Sequence, residues 1–576
     1  MHWRELTKRG FLTIALLVVA SPHVAGQQAT SADDLAALAE EWVESRTSRR
    51  VADVSLEFAE SEAAYALSVV DRLDAIDRDA LTHQEDLTWA VLDWQAAALA
   101  DNLETYWYLS PLMPASSPIR GVMSALPLMR IGDVEQGEAY LQYLDELAEA
   151  FGEVLVKARG RAARGIVLPD EQIDRILPFW RSFASTESDN PAHLAAARYA
   201  ELGDDGRELF EGQMLEAIEQ RVAPAAQQIV GYMQTTLVER APPVVGMGQY
   251  PGGKRAYRIA TRRMTTLEIT PEEVHKAGLE GVADINRQMA EVRARLGFTG
   301  TKAEFHQQLR NDPLFYVDAP EKFGEALMAY DAKIRPHVLD YFLREPEAPY
   351  DVRRVNPAME ATLTYGFYNR PSESDPNGYY NYNGSRLSER SLLSGAGLTY
   401  HELVPGHHFQ INLARENDEL PEFRKSAYFS GYGEGWGEYS SSVVAREMGM
   451  YDDPYDLYGR LVFDMFFAVR LVVDTGMNYY GWSRPKAMLY MGEHTMESVT
   501  QIDSETIRYS VRSPAQALAY RMGRQTWLQL RQRAERELGE AFDVRRFHDA
   551  VLTTGSLPLV VLQDHVDWWI EQEHSR

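Results

Sequence analysis

Apolar residues recur at intervals of three and four positions from Ser31 to about Arg240, and this periodicity is the strongest constraint on the fold. Typical runs are DDLAALAEEWVESR at 33–46 and AYLQYLDELAEAFGEVLVKAR at 139–159. The spacing aligns one apolar face along each helix, and such faces are buried by packing helix against helix. The first part of the chain is therefore predicted to be a set of packed helices.

This helical pattern is interrupted at Pro242 and Pro243 and in the GMGQYPGG stretch that follows, which we interpret as an internal boundary. Beyond it, the sequences TPEE at 270–273 and TKAE at 301–304 match capping boxes. In such a box a threonine and a glutamate satisfy the first free N–H groups of a helix. Both are predicted to begin new helices, the first with proline at its first helical position.

Two β-prone pieces, ATLTYGFYNRP at 361–371 and GYYNYNG at 378–384, predict a small sheet or hairpin before helices resume. We expect a mainly α fold with this small β-sheet beside the active-site helix. The chain is divided into a signal peptide at 1–26, an N-terminal helical region at 27–243 and a catalytic region at 244–576. The last two are expected to form one continuous fold.

Composition excludes several classes of function. The 576 residues include 45% hydrophobic and 11% aromatic residues, enough to fill a substantial core. The net charge of −27 opposes binding to phosphate backbones, so no nucleic-acid partner is expected. The chain has no cysteine, which rules out disulfides, thiolate nucleophiles and cysteine-ligated metals. Any metal ion must be held by histidines and carboxylates.

The N-terminus has the pattern of an export signal. Basic residues within 4–9 precede an apolar run at 11–20, and the small residues Ala25 and Gly26 follow. The run is shorter than the roughly 20 apolar residues that span a bilayer, and no cysteine follows to accept a lipid. We expect a periplasmic or secreted protein beginning near Gln27, without stable membrane insertion after cleavage.

The segment YHELVPGHHFQ at 400–410 carries the most informative chemistry. In the zinc-binding HExxH helix, two histidines four positions apart share one face. In an unbroken helix, His407 would face elsewhere, and His408 would lie about 10 Å along the axis from His401. The pair Pro405–Gly406 suits a bulge, because proline lacks an N–H group and glycine tolerates unusual dihedral angles. Looping out two residues would bring His407 into the ligand position, with His408 as the alternative.

A third ligand and a base are also predicted. Glu434 and Glu438, in the segment GEGWGEY, lie four positions apart on one helix face. We assign Glu434 to one Zn²⁺ ion, and Glu438 to orienting a ligand histidine through its second ring nitrogen. Glu402, adjacent to His401, is the predicted general base that deprotonates the attacking water.

With these residues the chain resembles a large bacterial family filed as a domain of unknown function. Its hallmark is HExxPGHH followed by an EGW segment, and it is grouped with the gluzincin metallopeptidases. Segments such as 250–279 and 508–524 extend the resemblance over most of 245–570. More distantly, the chain is similar to carboxypeptidase Taq and angiotensin-converting enzyme, which are helical and carry HExGH. Dipeptidyl peptidase III carries a longer insert, HExxGH, and that comparison favours His407 over His408.

The resemblance and the chemistry of the reaction suggest further site residues. Tyr509, in an IRY sequence similar to that of the angiotensin-converting-enzyme group, is slightly preferred over Tyr520 as oxyanion donor. Arg508 and Arg521 are candidates for gripping a peptide carboxylate. Pieces around Tyr365 and from Tyr380 to Asn383 are expected to form an edge strand that pairs with the substrate backbone.

The sequence thus predicts an exported, single-zinc metallopeptidase that hydrolyses short peptides, with an exopeptidase or dipeptidase preferred. One alternative is a zinc amidase or esterase that acts on a non-peptide substrate. Another is a non-catalytic relative that captures peptides, although the presence of Glu402 argues against it.

Overall fold

The structure is a computed structural model that describes residues 30–47, 53–114, 119–126, 129–360, 365–373 and 375–576. The expected signal peptide at 1–26 lies outside the described residues. The described chain is mainly α-helical with one small sheet, which confirms the predicted fold class. Within it, no helix is both long and apolar enough to cross a membrane.

The α-helices, in chain order, are α1 (Ser31–Thr47), α2 (Leu56–Asp74), α3 (His83–Thr105), α4 (Ile119–Ala125), α5 (Val134–Ala163), α6 (Asp170–Ala184), α7 (Gly203–Ala217), α8 (Ala223–Tyr232), α9 (Val238–Arg240), α10 (Gly253–Thr265), α11 (Pro271–Arg295), α12 (Lys302–Asn311), α13 (Pro320–Ile334), α14 (Pro357–Glu360), α15 (Gly395–Glu402), α16 (His407–Arg415), α17 (Glu422–Ser426), α18 (Ser430–Tyr439), α19 (Ala445–Glu447), α20 (Pro454–Asn478), α21 (Arg484–His494), α22 (Val499–Ile507), α23 (Leu518–Leu538), α24 (Val544–Leu552) and α25 (Leu559–His574). Wider π-helical turns continue α7, α8, α18 and α22.

Both predicted capping boxes begin helices. The Thr270 side chain accepts a hydrogen bond from the backbone N–H of Glu273, and Glu273 reaches back to the backbone of Thr270, where α11 starts. The same reciprocal pair joins Thr301 and Glu304 at the start of α12. At the start of each of these two helices, two otherwise free backbone donors are satisfied, which fixes where the helix begins.

Two apolar cores hold most of the helices together. The first, which we call the lobe core, consists mainly of buried side chains between Leu112 and Leu237 and is built largely from α5 to α8. The part of the chain that surrounds it is called the lobe. The larger core joins α1 to α3 with residues between 245 and 570. The last helix before Pro242 and Pro243 ends at Arg240, where the periodicity of the sequence also ends. Packing crosses that point, because the first three helices share a core with the second half of the chain.

The sheet has three strands, β1 (Tyr350–Arg354), β2 (Gly366–Asn369) and β3 (Gly378–Tyr382). Strand β3 is central, parallel to β1 and antiparallel to β2, with Tyr380 opposite Tyr368. The two β-prone pieces of the sequence supply β2 and β3, whereas β1 was not predicted. Because β3 is central, Tyr380 cannot lie on an edge strand, and that part of the expectation is wrong. The Tyr365 piece does lead into an edge strand, β2.

Candidate metal centre and its cavity

The chain brings His401 and His407 together by ending one helix and starting another. Helix α15 ends at Glu402 and α16 begins at His407. The intervening residues include a cis peptide bond between Val404 and Pro405. The two imidazole ring centres are 4.7 Å apart, with planes at 82°. The sequence predicted a two-residue bulge inside one helix, and the structure corrects this to a complete break.

Close packing explains why residue 406, in this break, is glycine. A Cβ atom on Gly406 would lie 1.9 Å from the carbonyl oxygen of His401, so only glycine fits there. The carbonyl of Pro405 accepts a hydrogen bond of 2.8 Å from the indole N–H of Trp436 in α18. This hydrogen bond links the break to the helix that carries Glu434 and Glu438.

Glu434 completes the His–His–Glu cluster, formed by His401, His407 and Glu434. Its Oε2 atom lies 3.5 Å from Nε2 of each histidine. One potential ligand atom from each of the three residues lies within 4.8 Å of the other two. Two imidazole nitrogens and one carboxylate oxygen form a donor set typical of catalytic zinc sites. Among the described residues, no other three-residue group of this kind occurs.

Buried charges hold His401 in place. Its Nδ1 atom is 2.8 Å from Oε1 of Glu438, whose other carboxylate oxygen accepts a 2.6 Å hydrogen bond from Arg460. Arg460 also donates to Asp464 at 2.8 Å. Glu438 is only 1% exposed. This chain of contacts fixes the tautomer and orientation of the ring, so that Nε2 faces Glu434.

His408 faces away from the cluster. Its Nδ1 atom is 2.8 Å from the Tyr368 hydroxyl, and Asn412 lies 3.1 Å from the same nitrogen. Its ring packs 4.3 Å from that of Tyr350. Burial lowers the pKa of His408 to about 4, so the ring stays neutral near pH 7. The geometry thus favours His407 over His408 as the ligand.

The electrostatics of the cluster favour a cation. Burial opposes a charge on His401, but hydrogen bonds with Glu434 and Glu438 outweigh it and raise its pKa to about 10. Burial alone would raise the pKa of Glu434, yet the hydrogen bonds with both histidines hold it well below its usual range. A metal ion competes with protons for the same lone pairs. An arrangement that attracts protons this strongly therefore also suits a divalent cation.

The cluster opens into a cavity of about 420 Å³. Residues from the edge of the sheet, from α15, α16, α18, α20, α22 and α23, and from the segments next to them line it: Tyr365, Gly366, Phe367, Tyr368, Leu398, His401, Glu402, His407, Ile411, Tyr428, Glu434, Phe463, Phe466, Phe467, Arg470, Ser504, Glu505, Arg508, Arg512 and Tyr520. Glu402 is 9% exposed, and burial raises the pKa of its carboxyl group. A carboxylate with a raised pKa beside the cluster is a stronger base than one in water.

The two predicted oxyanion tyrosines occupy different surroundings. The Tyr520 ring lines the cavity and stacks 6.1 Å from His401. Burial raises its pKa to about 12, so its hydroxyl remains a donor near pH 7. Tyr509 is fully buried, does not line this cavity and donates to Glu505. The structure thus favours Tyr520, the reverse of the order preferred from the sequence.

Tyr428 and Arg470 line the cavity but were not predicted. An added Cβ on Gly433 would lie 2.9 Å from the Tyr428 hydroxyl, which places that hydroxyl against the start of α18. Tyr428 as a whole is 49% exposed, but desolvation of its hydroxyl against α18, followed by the negative charge of Glu434, raises its pKa above the ordinary value. Arg470 lies on α20 within an almost wholly apolar run. A charged residue inside such a run is the one sequence signal that could have marked it.

The predicted substrate-binding residues lie in different parts of the structure. Arg508 lines the cavity and donates to Glu505 at 2.9 Å. Arg521 does not line it and packs instead against Gly281 of α11. Tyr380 and Asn383 line a neighbouring cavity of about 150 Å³. The structure therefore brings one of these four residues to the cluster's cavity.

Comparisons with solved structures agree on the fold. A solved structure from Colwellia psychrerythraea, described as a "putative lipoprotein", is 26% identical, with a TM-score of 0.83 over 94% of this chain and 100% of that one. A "putative lipoprotein of unknown function" from Shewanella oneidensis is 15% identical, with a TM-score of 0.72 over 93% and 99% of the two chains. No curated protein matches the sequence.

Residues 38–566 match the family described as "Bacterial protein of unknown function (DUF885)". The match covers far more than half of the chain. The chain therefore belongs to the DUF885 family of bacterial proteins of unknown function.

Proposed function

We propose that this protein is an exported zinc-dependent metallopeptidase that hydrolyses short peptides. The observation that carries the proposal is the His–His–Glu cluster, with Glu402 lining the same cavity. The donor set suits zinc, and the resemblance to gluzincins points to the same ion. Zinc bound there would supply Lewis acidity, polarising a carbonyl group and making water more acidic.

Each residue around the cluster has a definite task in this proposal. Glu402 takes a proton from the attacking water and passes it to the leaving amine. Tyr520 and Tyr428 remain protonated and can donate hydrogen bonds to the oxyanion that develops on the scissile carbonyl. Glu438 and Arg460 keep His401 oriented.

The shape of the cavity supports a peptide substrate. The edge strand β2 contributes Gly366, Phe367 and Tyr368 to the lining. An edge strand can pair with the backbone of an extended peptide, whatever its side chains. A cavity of about 420 Å³ holds only a few residues, which favours short peptides over folded proteins.

We also propose a periplasmic or secreted location. The basic residues, apolar run and small residues at the start of the sequence support it. The two structural relatives are each described as a "putative lipoprotein", and lipoproteins are a class of exported protein.

The test is digestion of a mixed library of short peptides by the zinc-loaded protein, read by mass spectrometry. Wild type is expected to cut peptides, and Glu402→Gln to retain zinc but lose about 10³-fold in turnover. Glu422→Gln, at an exposed position, is the matched control and should behave as wild type. Hydrolysis of acylated small molecules without peptide cleavage would replace the proposal with an amidase or esterase. Peptide binding without turnover, unchanged by Glu402→Gln, would replace it with a binding protein.

A further inference from the structure

Arg470 is a buried cation that has no hydrogen-bond partner among the described residues. Its side chain is 3% exposed and lines the cavity. The guanidinium carbon lies 4.3 Å from the ring centre of Tyr520 and 5.0 Å from that of Phe466. No hydrogen bond joins Arg470 to another residue in the described part of the chain, and the nearest carboxylate oxygen is Oε2 of Glu505, 3.9 Å from Nε. A charge buried in this way is costly unless something else pairs with it.

The nearby carboxylates are already engaged. Oε2 of Glu505 accepts hydrogen bonds from Arg508 and from Tyr509. Glu497, which also interacts electrostatically with Arg470, accepts from the Tyr365 hydroxyl, and burial raises its pKa to about 7. Positive charge therefore exceeds negative charge at this end of the cavity.

Arg508 lies at this end too, because it shares Oε2 of Glu505 with Arg470, and it lines the cavity as Arg512 does. A guanidinium group binds a carboxylate through two parallel hydrogen bonds, and it does so most strongly away from bulk water. The arginine end, defined by Arg470 and Arg508, therefore has the chemistry of a carboxylate-binding site.

The distance to the cluster limits how much substrate fits between them. The Tyr520 ring lies 4.3 Å from the Arg470 guanidinium and 6.1 Å from the His401 ring. The Arg470 guanidinium and the His401 ring are therefore at most about 10 Å apart. An extended residue spans roughly 3.3–3.6 Å. A hydrogen bond between the guanidinium and the carboxylate occupies roughly 3 Å of that distance. One or two residues can thus separate a carboxylate at Arg470 from a carbonyl at the cluster.

We propose that Arg470, assisted by Arg508, binds the C-terminal carboxylate of the substrate. The protein then removes one or two residues from the C-terminus of short peptides. This inference rests on the proposed peptidase function for its reaction, but not for its binding step. An acidic side chain carries the same chemical group as the terminus, so the experiment must distinguish the two.

The test measures binding by calorimetry to zinc-loaded Glu402→Gln protein, which is expected to hold peptides without cutting them. The probes are N-acetyl-trialanine with a free carboxylate, its C-terminal amide, and an amidated peptide in which the last alanine is replaced by glutamate. The free acid is expected to bind about 10- to 100-fold more tightly than either amide. Adding Arg470→Gln should remove this preference, and Arg470→Lys should retain part of it. Arg255→Gln, which alters an exposed arginine paired with Glu104, is the control.

Equal binding of the free acid and its amide would overturn the inference, and so would a preference that survives Arg470→Gln in a folded, zinc-containing protein. Tight binding of the amidated glutamate peptide would overturn the assignment to the chain terminus. The proposed function fails by different results, namely absence of zinc or of peptide cleavage by wild type. In the library digest, loss of one or two residues from the C-terminus would support the inference, and trimming from the N-terminus would contradict it.

Discussion

The lobe core and the core around the candidate metal centre differ in how their buried side chains are paired. In the lobe, Phe151, Trp180 and Phe183 pack ring against ring, and the indole N–H of Trp180 is satisfied by a backbone carbonyl. Around the cluster, Glu438 and Arg460 form a buried ion pair within a longer chain of charges. Apolar packing stabilises a fold directly, whereas buried ion pairs recover little of their desolvation cost. The comparison suggests that the lobe mainly stabilises the molecule, and that the charges of the second region position functional groups.

The largest expected effect that tests this division is in the lobe. Trp180→Ala removes a fully buried ring and leaves a cavity, which should lower the free energy of unfolding by about 3–5 kcal/mol. Urea denaturation measures this change. Zinc affinity, measured below the unfolding transition, should equal that of wild type. A parallel loss of zinc affinity would show that the two regions are not separable.

The next effect distinguishes the two tyrosines of the second region. Tyr520→Phe removes a donor from the cavity and should lower kcat by about 10²-fold with zinc content unchanged. Tyr509→Phe removes a buried hydrogen bond to Glu505 and should cost about 1–2 kcal/mol of stability, with little change in kcat. Steady-state kinetics and urea denaturation of both variants measure the two quantities. A large kcat effect in Tyr509→Phe alone would restore the assignment preferred from the sequence.

A smaller effect tests whether the buried charges position the ligands. Glu438→Ala removes the acceptor that orients His401 and should weaken zinc binding by about 10- to 100-fold. Competition with a chelator of known affinity measures the change. The control is Glu447→Ala, which removes a glutamate from the same continuous helix as Glu438. Glu447 pairs with Arg531 of α23. Unchanged zinc affinity in Glu438→Ala would assign the ion pair a purely structural role.

The smallest effect returns to the lobe. The Asp133 side chain caps α5 by accepting from the backbone N–H of Gln136 at 2.8 Å. Asp133→Ala should cost about 1 kcal/mol in the free energy of unfolding and leave zinc affinity and kcat unchanged. Urea denaturation resolves a change of this size. Any effect on kcat would contradict a purely stabilising lobe.

The fold was more predictable from the sequence than the site because helices depend on local patterns. Periodicity and the capping boxes at Thr270 and Thr301 predicted helices that the structure contains. The sequence also identified the residues that come together as the cluster. It did not predict that α15 would end completely at Glu402, since the path of the break depends on contacts with distant residues such as Trp436.

The same limit explains the residues that were misplaced or missed. Tyr509 lies in the π-helical turn that continues α22, and Tyr520 lies in α23 eleven positions further on. Only tertiary packing determines which of them reaches the cavity. Strand β1 was missed because its pairing with β3 is set by partners 28 positions apart, as for Val352 and Tyr380. Arg470 resembles any charged residue on a helix until its neighbours are known.

Zinc content of the purified protein, measured by elemental analysis, is the most direct test of the central claim. Wild type, His407→Ala and His408→Ala should be compared after incubation with zinc and removal of the excess. The account predicts one zinc ion per chain in wild type and in His408→Ala, and none in His407→Ala. Absence of zinc from wild type, or its loss in His408→Ala with retention in His407→Ala, would contradict the account.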